Sequence, residues 1–141
     1  MGSVKIVRSP LGRVLVVDDT DSIRELISVN LELEGFEVTR AVDGQDALDQ
    51  LDATPPDDLP DVVTMDVVMP RLDGIAAIEA LRRDPRMTGV RIAMVTASVQ
   101  DLADAPGHPA AVDGFLAKPF DPADLVALVR RLAGCPPEPA T

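Results

Sequence analysis

Four points of the chain carry side chains that could act together chemically: the pair Asp18-Asp19, then Asp66, Thr96 and Lys118. Each stands where an apolar, β-rich run stops. Asp18-Asp19 follow Arg13-Val14-Leu15-Val16-Val17, Asp66 follows Val62-Val63-Thr64-Met65, Thr96 follows Val90 to Val95, and Lys118 follows Gly114-Phe115-Leu116-Ala117. Carboxylates brought together repel one another, and a cation sharing the site relieves that repulsion. Magnesium suits such a place, because it is hard, prefers oxygen, and is usually held by one or two carboxylates, waters and a phosphate. An aspartate beside that ion, a lysine and a hydroxyl is also how a carboxylate becomes a phosphoryl acceptor. Its oxygen attacks in line while metal and lysine neutralise the equatorial oxygens. Singly, each residue has a plainer explanation: an Asp after a strand caps a helix, a Thr there makes a turn, a Lys faces water. At four strand ends together, the plain explanations are weak.

The elements that would position these residues alternate along the chain. Residues 1–12 read as a tail and 13–134 as one domain, with a Pro-rich tail over 135–141. Arg13 to Val17 shows no polar alternation, the mark of a strand covered on both faces as in parallel sheets. A helix from about Asp21 to Glu34 carries Ile23, Leu26, Ile27 and Leu31 on one face, and Gly35 stops it. Phe36 to Ala41 alternates, which places that strand nearer an edge. Asp43-Gly44 opens a second helix carrying Ala47, Leu48 and Leu51, and Thr54 to Pro60 is a loop by composition. Asp66 is followed by Met69-Pro70, where proline forbids continuation of the strand, and by the turn Asp73-Gly74. A third helix over Gly74 to Arg83 uses Ile75, Ile78 and Leu81, and Asp84-Pro85 ends it. Val99 to Ala105 has room for two helical turns before Pro106-Gly107-His108-Pro109 breaks them. Asp121-Pro122-Ala123-Asp124 starts the last helix, with Asp as N-cap, Pro at N1 and an acid at N3, and Leu125, Leu128, Val129 and Leu132 form its stripe. Five strands alternating with five helical segments predict a doubly wound α/β fold, a five-stranded parallel sheet with helices on both faces. Such a sheet brings the carboxyl ends of its strands to one rim, so acids from the first and third strands can meet there.

Composition narrows the partners. At 141 residues the chain is long enough for one real core. Its formal net charge of −11 repels nucleic acid and anionic membrane, and no basic run exceeds the doublets Arg82-Arg83 and Arg130-Arg131. Those doublets read as solvated helix ends, where cations suit the dipole. One cysteine, Cys135, excludes an intramolecular disulfide and a cysteine-based metal cluster, and it reads as inert. No run is long enough to span a bilayer and the first residues lack the apolar core of a signal peptide, so a cytoplasmic protein is expected.

From about Arg13 to Gly134 the chain resembles the receiver domain of two-component response regulators. The matching motifs are Val16-Val17-Asp18-Asp19, the run Asp66 to Gly74, Thr96-Ala97 and Phe115-Leu116-Ala117-Lys118-Pro119-Phe120. The family's chemotaxis member has a flavodoxin-like sheet of order 2-1-3-4-5, and that order is taken from the resemblance. The resemblance implies that Asp66 accepts a phosphoryl group from a phosphohistidine on a sensor histidine kinase or phosphotransfer protein. Asp19 and Asp66 would ligate Mg2+ (or Mn2+), joined by the main-chain carbonyl of Val68, with Asp18 acting largely through water. Lys118 would bind a phosphoryl oxygen, its bond to Pro119 would be cis, and Thr96, beside Ala97, would move its hydroxyl onto the phosphoryl group. Phe115 would be the switch aromatic, turning inward as Thr96 moves. Driving such a switch from mostly off to mostly on takes about 5.5 kcal/mol, and two or three hydrogen bonds to a charged group at roughly 1.5–3 kcal/mol each are enough. The chain would then be a phosphoacceptor rather than an enzyme. It would signal to a downstream protein through the face of the fourth helix, fifth strand and fifth helix, as a monomer or a phosphorylation-dependent dimer, without touching nucleic acid or membrane.

Two departures from the family pattern carry expectations. Val68, two residues after Asp66, cannot orient a water, which predicts slow self-dephosphorylation. Pro106 to Pro109 predicts a short or irregular fourth helix, with His108 exposed and outside any relay. Three other readings stand beside the stand-alone receiver. Asp19-Thr20-Asp21 has the spacing of a haloacid-dehalogenase-like phosphatase nucleophile, although Asp66 to Gly74 would then go unexplained. A pseudo-receiver that no longer takes phosphate is opposed by the intact acids, Thr96 and Lys118. Finally, the Pro-rich tail could begin a linker, making this the receiver half of a longer regulator.

Overall fold

The computed structural model describes residues 11–66, 74–96 and 112–134, with the side chains of Gly74, Ile75 and Thr96 outside that description. Five parallel strands, β1 (Arg13–Val17), β2 (Glu37–Ala41), β3 (Val62–Asp66), β4 (Arg91–Thr96) and β5 (Gly114–Ala117), form one sheet in the order β2-β1-β3-β4-β5. The described helices are α1 (Asp21–Glu34), α2 (Gly44–Asp52), α3 (Gly74–Arg83) and α4 (Pro122–Leu132), the last helix of the sequence reading. Short 3-10 turns lie at Pro56–Asp58, within the stretch read as loop, and at Pro85–Met87, where the sequence reading ends α3 at Asp84-Pro85.

Both faces of the sheet are covered, which is why the inner strands lack polar alternation. Leu15, Val17, Val63, Met65, Ile92 and Met94 pack with α2 and α3 through Ala47, Leu51, Ile78 and Leu81. Val14, Val16, Val62 and Ala93 pack with α1 and α4 through Ile27, Leu31, Leu125, Leu128 and Val129. β2 is an edge strand, as its alternation predicts, and leaves Glu37, Thr39 and Arg40 exposed. Gly35 ends α1 at φ 115°, a left-handed conformation that favours glycine. The carboxylate of Asp121 caps α4, accepting the Ala123 N–H at 2.9 Å.

Three sequence expectations change. Leu26, read as part of the buried face of α1, is largely exposed, and Ser28 is buried in the same helix instead. The doublets split by position, one residue turned inward and one outward. Arg83 and Arg131 are exposed. Arg82 instead donates to the carbonyl of Val90 at 2.9 Å and to the carboxylate of Asp113 at 2.9 Å. Arg130, largely buried, pairs with Glu34 across the α1–α4 contact at 3.6 Å. The helix-end location was right for both, but a neighbouring carboxylate, not solvent, receives the guanidinium.

The Arg82–Asp113 contact bears on the rim. Asp113 precedes β5, and its carboxylate also accepts the Ile92 N–H at 2.8 Å. It therefore locks the entry of β5 against the start of β4 and sets the register that runs up to Thr96 beside Ala117. Arg82→Ala is expected to destabilise the fold by about 1–3 kcal/mol, the usual cost of stripping a partner from a partly buried polar group. A lowered urea midpoint at unchanged slope is the expected reading, and an unchanged midpoint would show that Arg91, 3.5 Å from Asp113, suffices.

Candidate functional site

Register builds the site. β1 pairs with β3 so that Val17 stands beside Met65, and the next residues, Asp18 and Asp66, emerge together at the carboxyl rim. β4 places Thr96 one step beyond Val95, the partner of Asp66, and β5 delivers Lys118 immediately after Ala117, the partner of Thr96. Four separate strand ends thus bring the expected residues to one rim.

Asp18 is 1% exposed and Asp66 7% exposed, while Asp19 faces solvent. Carboxylate oxygens of all three lie within 4.8 Å of one another. The ammonium of Lys118 reaches Oδ2 of Asp18 at 3.3 Å and Oδ1 of Asp66 at 3.5 Å. One cation between two buried carboxylates makes the burial tolerable, because an uncompensated buried charge is strongly unfavourable. The third acid leaves the cluster negative. Asp18 is tied further: its Oδ1 accepts the Thr20 N–H at 2.9 Å, and its own N–H donates to Ala41 O at 3.2 Å. The Lys118–Pro119 peptide is cis, as the resemblance implied. Phe115 is 42% exposed on β5.

The donor set fits a small hard cation. Oxygens around Mg2+ sit about 2.1 Å from the ion, so neighbouring ligands stand about 3–4 Å apart. Three carboxylates already gathered within 4.8 Å need little movement to reach that spacing. Two buried members and one exposed member leave a solvent side on which waters or a phosphate can complete the shell.

Several sequence assignments fall outside the described residues: Val68, Ala97, His108, Cys135 and nearly all of the Val99–Val112 segment. Sequence reading missed Arg24, which donates to the main-chain carbonyl of Asp18 at 2.8 Å and pairs with Asp21. The i, i+3 spacing of Asp21 and Arg24 was the available signal. An open groove of about 760 Å³ lies between α1 and α4 and is lined by Leu33, Val126 and Arg131 among others. None of the three carboxylates lines it, so volume does not locate the chemistry here. No helix among the described residues is long and apolar enough to cross a membrane.

Fold, rim and cation-ready acid cluster together define a receiver. The response regulator receiver domain family matches residues 14–130, and the chain belongs to that family. It is 37% identical over 123 residues to the DNA-binding dual master transcriptional regulator RpaA of Synechocystis sp., covering 85% of this chain and 48% of that protein. It is 35% identical over 120 residues to the alkaline phosphatase synthesis transcriptional regulatory protein PhoP of Bacillus subtilis, again over 85% of this chain and 48% of that one. The chain therefore spans about half the length of these curated relatives. Among solved structures, the chemotaxis response regulator CheY4 of Vibrio cholerae aligns with a TM-score of 0.77 and 31% identity, over 89% of this chain and 99% of that one. The family match removes the reason for the phosphatase reading of Asp19.

Proposed function

We propose that this receiver takes a phosphoryl group on Asp66 from a phosphohistidine of a sensor kinase or phosphotransfer protein, in the cytoplasm, and uses it to switch a protein-binding face. The observation that carries the proposal is the bridge of Lys118 between Asp18 and Asp66, 3.3 and 3.5 Å away, at the rim where the third acid converges. An Asp66 carboxylate oxygen attacks phosphorus, the nitrogen–phosphorus bond of the donor breaks, and the departing imidazole takes a proton. Asp19, Asp66 and the Val68 carbonyl would hold Mg2+ (Mn2+ as the alternative), with Asp18 reached through water, and the ion would supply charge neutralisation at the phosphoryl oxygens. Lys118 follows the new charge, exchanging a carboxylate partner for a phosphoryl oxygen. Thr96, at the end of β4, donates its hydroxyl to the same group, and Phe115, exposed beforehand, turns inward. The chain is thereby a phosphoacceptor and not an enzyme acting on a separate substrate, and it speaks to a downstream protein.

Incubation with Mg2+ and acetyl phosphate, followed over time by intact mass, tests this. One phosphoryl adduct is expected on the natural sequence, with a lifetime well beyond seconds because Val68 cannot orient water. It should vanish in Asp66→Asn and without metal. An adduct that persists in the variant would remove Asp66 from the role.

A second reading is favoured by one observation, the 48% coverage of RpaA and PhoP. In it the receiver drives an attached output domain, which in a regulator like RpaA would bind DNA. The 99% coverage of CheY4 is expected of a receiver under either reading. Peptides mapping beyond Thr141 in the protein isolated from its own cells would decide for the attached domain.

A further inference from the structure

The turn between β1 and α1 carries two of the three clustered acids, and a single side chain closes it. Arg24, in the second turn of α1 and mostly buried, directs Nη1 to the main-chain carbonyl of Asp18 at 2.8 Å. Its other terminal nitrogen pairs with Asp21. The Arg24 N–H bonds Thr20 O at 2.9 Å, and the Thr20 N–H bonds Oδ1 of Asp18 at 2.9 Å. The carbonyl of Asp18 belongs to the peptide that joins it to Asp19, so Arg24 fixes the plane of that peptide. Asp19 needs this support more than its neighbours do. Asp18 is tied by Thr20 and Lys118, and Asp66 is buried at the end of β3 beside Lys118, whereas the Asp19 carboxylate is exposed and has no hydrogen-bond or ion-pair partner among the described residues. Among the described residues, only the backbone sets its direction.

We infer that Arg24 is a positioning residue for the divalent cation, acting by holding the Asp18–Asp19 peptide so that the Asp19 carboxylate stays aimed at the ion. This rests on the metal-site reading given above. The sign of the effect separates positioning from charge. Arg24 is itself a cation beside an acidic cluster, so removing its charge without loss of geometry makes the site more negative and tightens cation binding. Loss of positioning does the opposite, since removing an outer partner that orients a ligand typically weakens metal affinity about 10–100-fold.

The test is Mn2+ titration of the full chain, followed by the electron paramagnetic resonance signal of free Mn2+; with no Trp and no Tyr the protein offers no intrinsic fluorescence for this purpose. Arg24→Gln is expected to raise the dissociation constant at least about tenfold. Asp21→Asn, which removes the ion pair but leaves the carbonyl bond, is expected to bind as the natural sequence does. Arg24→Lys, with one compact donor group in place of the planar fork, should fall between them. Unchanged or tighter binding in Arg24→Gln overturns the inference, and so does equal weakening in Arg24→Gln and Asp21→Asn. Should Arg24→Gln not fold, weaker binding by Arg24→Lys than by Asp21→Asn supports the inference and equal binding overturns it. If the natural sequence itself does not bind Mn2+, the metal-site reading fails first, a result distinct from all of these.

Discussion

Asp66→Asn is expected to stabilise the metal-free protein while abolishing phosphoryl acceptance. Among the described residues, the charged groups around the buried Asp66 are two carboxylates, Asp18 and Asp19, and one ammonium, that of Lys118. At an effective dielectric of about 20, each pair of unit charges about 4 Å apart is worth about 4 kcal/mol. Of these three charges alone, two repulsions against one attraction disfavour the ionised Asp66 side chain by about that amount, with its desolvation still to add. Solvent around the exposed Asp19 reduces the figure, so a gain of about 1–3 kcal/mol is expected from the isosteric neutral amide, near the upper end of what single substitutions usually achieve. Thermal or urea unfolding in the presence of a chelator reads it directly. Saturating Mg2+ should then narrow the difference, because a ligand at a hundred times its dissociation constant adds about 2.7 kcal/mol to the state that binds it. The natural sequence gains that and the variant gains little. A destabilised Asp66→Asn would mean that the Lys118 contact and the other polar contacts of Asp66 outweigh both repulsions, and the site would not be a place of stored electrostatic strain.

That trade is why the acids were legible in the sequence alone. A fold selected only for stability would not end two adjacent buried strands in mutually repelling carboxylates, so their recurrence at strand ends pointed to chemistry. The sheet was legible for a different reason. β1, β3 and β4 lack regular polar alternation because both faces are covered, while β2 alternates because it lies at an edge. Strand order came from the family resemblance, since periodicity contains no information about which strands are neighbours. What escaped were contacts between polar groups on different elements. A helix ending in two arginines reads the same whether they face water or a carboxylate brought in by a strand 31 residues later, as Asp113 is for Arg82. Arg24 escaped likewise, because its partner is a main-chain carbonyl and no residue type advertises that. Spacing places Leu26 on the buried face of its helix with Ile27 and Leu31, but it lies at the margin of that stripe, and a spacing argument cannot tell the centre of a stripe from its margin.

Lys118→Ala should move stability the other way and remove most of the chemistry. In its absence Asp18, 1% exposed, and Asp66 would lose their shared ammonium. Breaking a buried pair by removing one partner costs about 3–5 kcal/mol. Lys118 is partly open to solvent and Asp18 keeps the Thr20 N–H, so about 2–4 kcal/mol is expected here. Phosphorylation by acetyl phosphate should slow by about 10²–10³, the cost of deleting one preorganised group that meets charge developing in a transition state. Combining the substitution with Asp66→Asn separates the two roles. Once a neutral amide replaces the Asp66 carboxylate, removal of Lys118 forfeits only its contact with Asp18, so the double variant should be more stable than the sum of the single effects by about 1–3 kcal/mol. Urea unfolding of the four proteins with chelator present gives that coupling. Strict additivity would mean that the 3.5 Å approach of Lys118 to Asp66 carries no energy. The slowed phosphorylation would then have to come from contact with the donor's phosphoryl group alone, which the single variant's rate at saturating Mg2+ would still report.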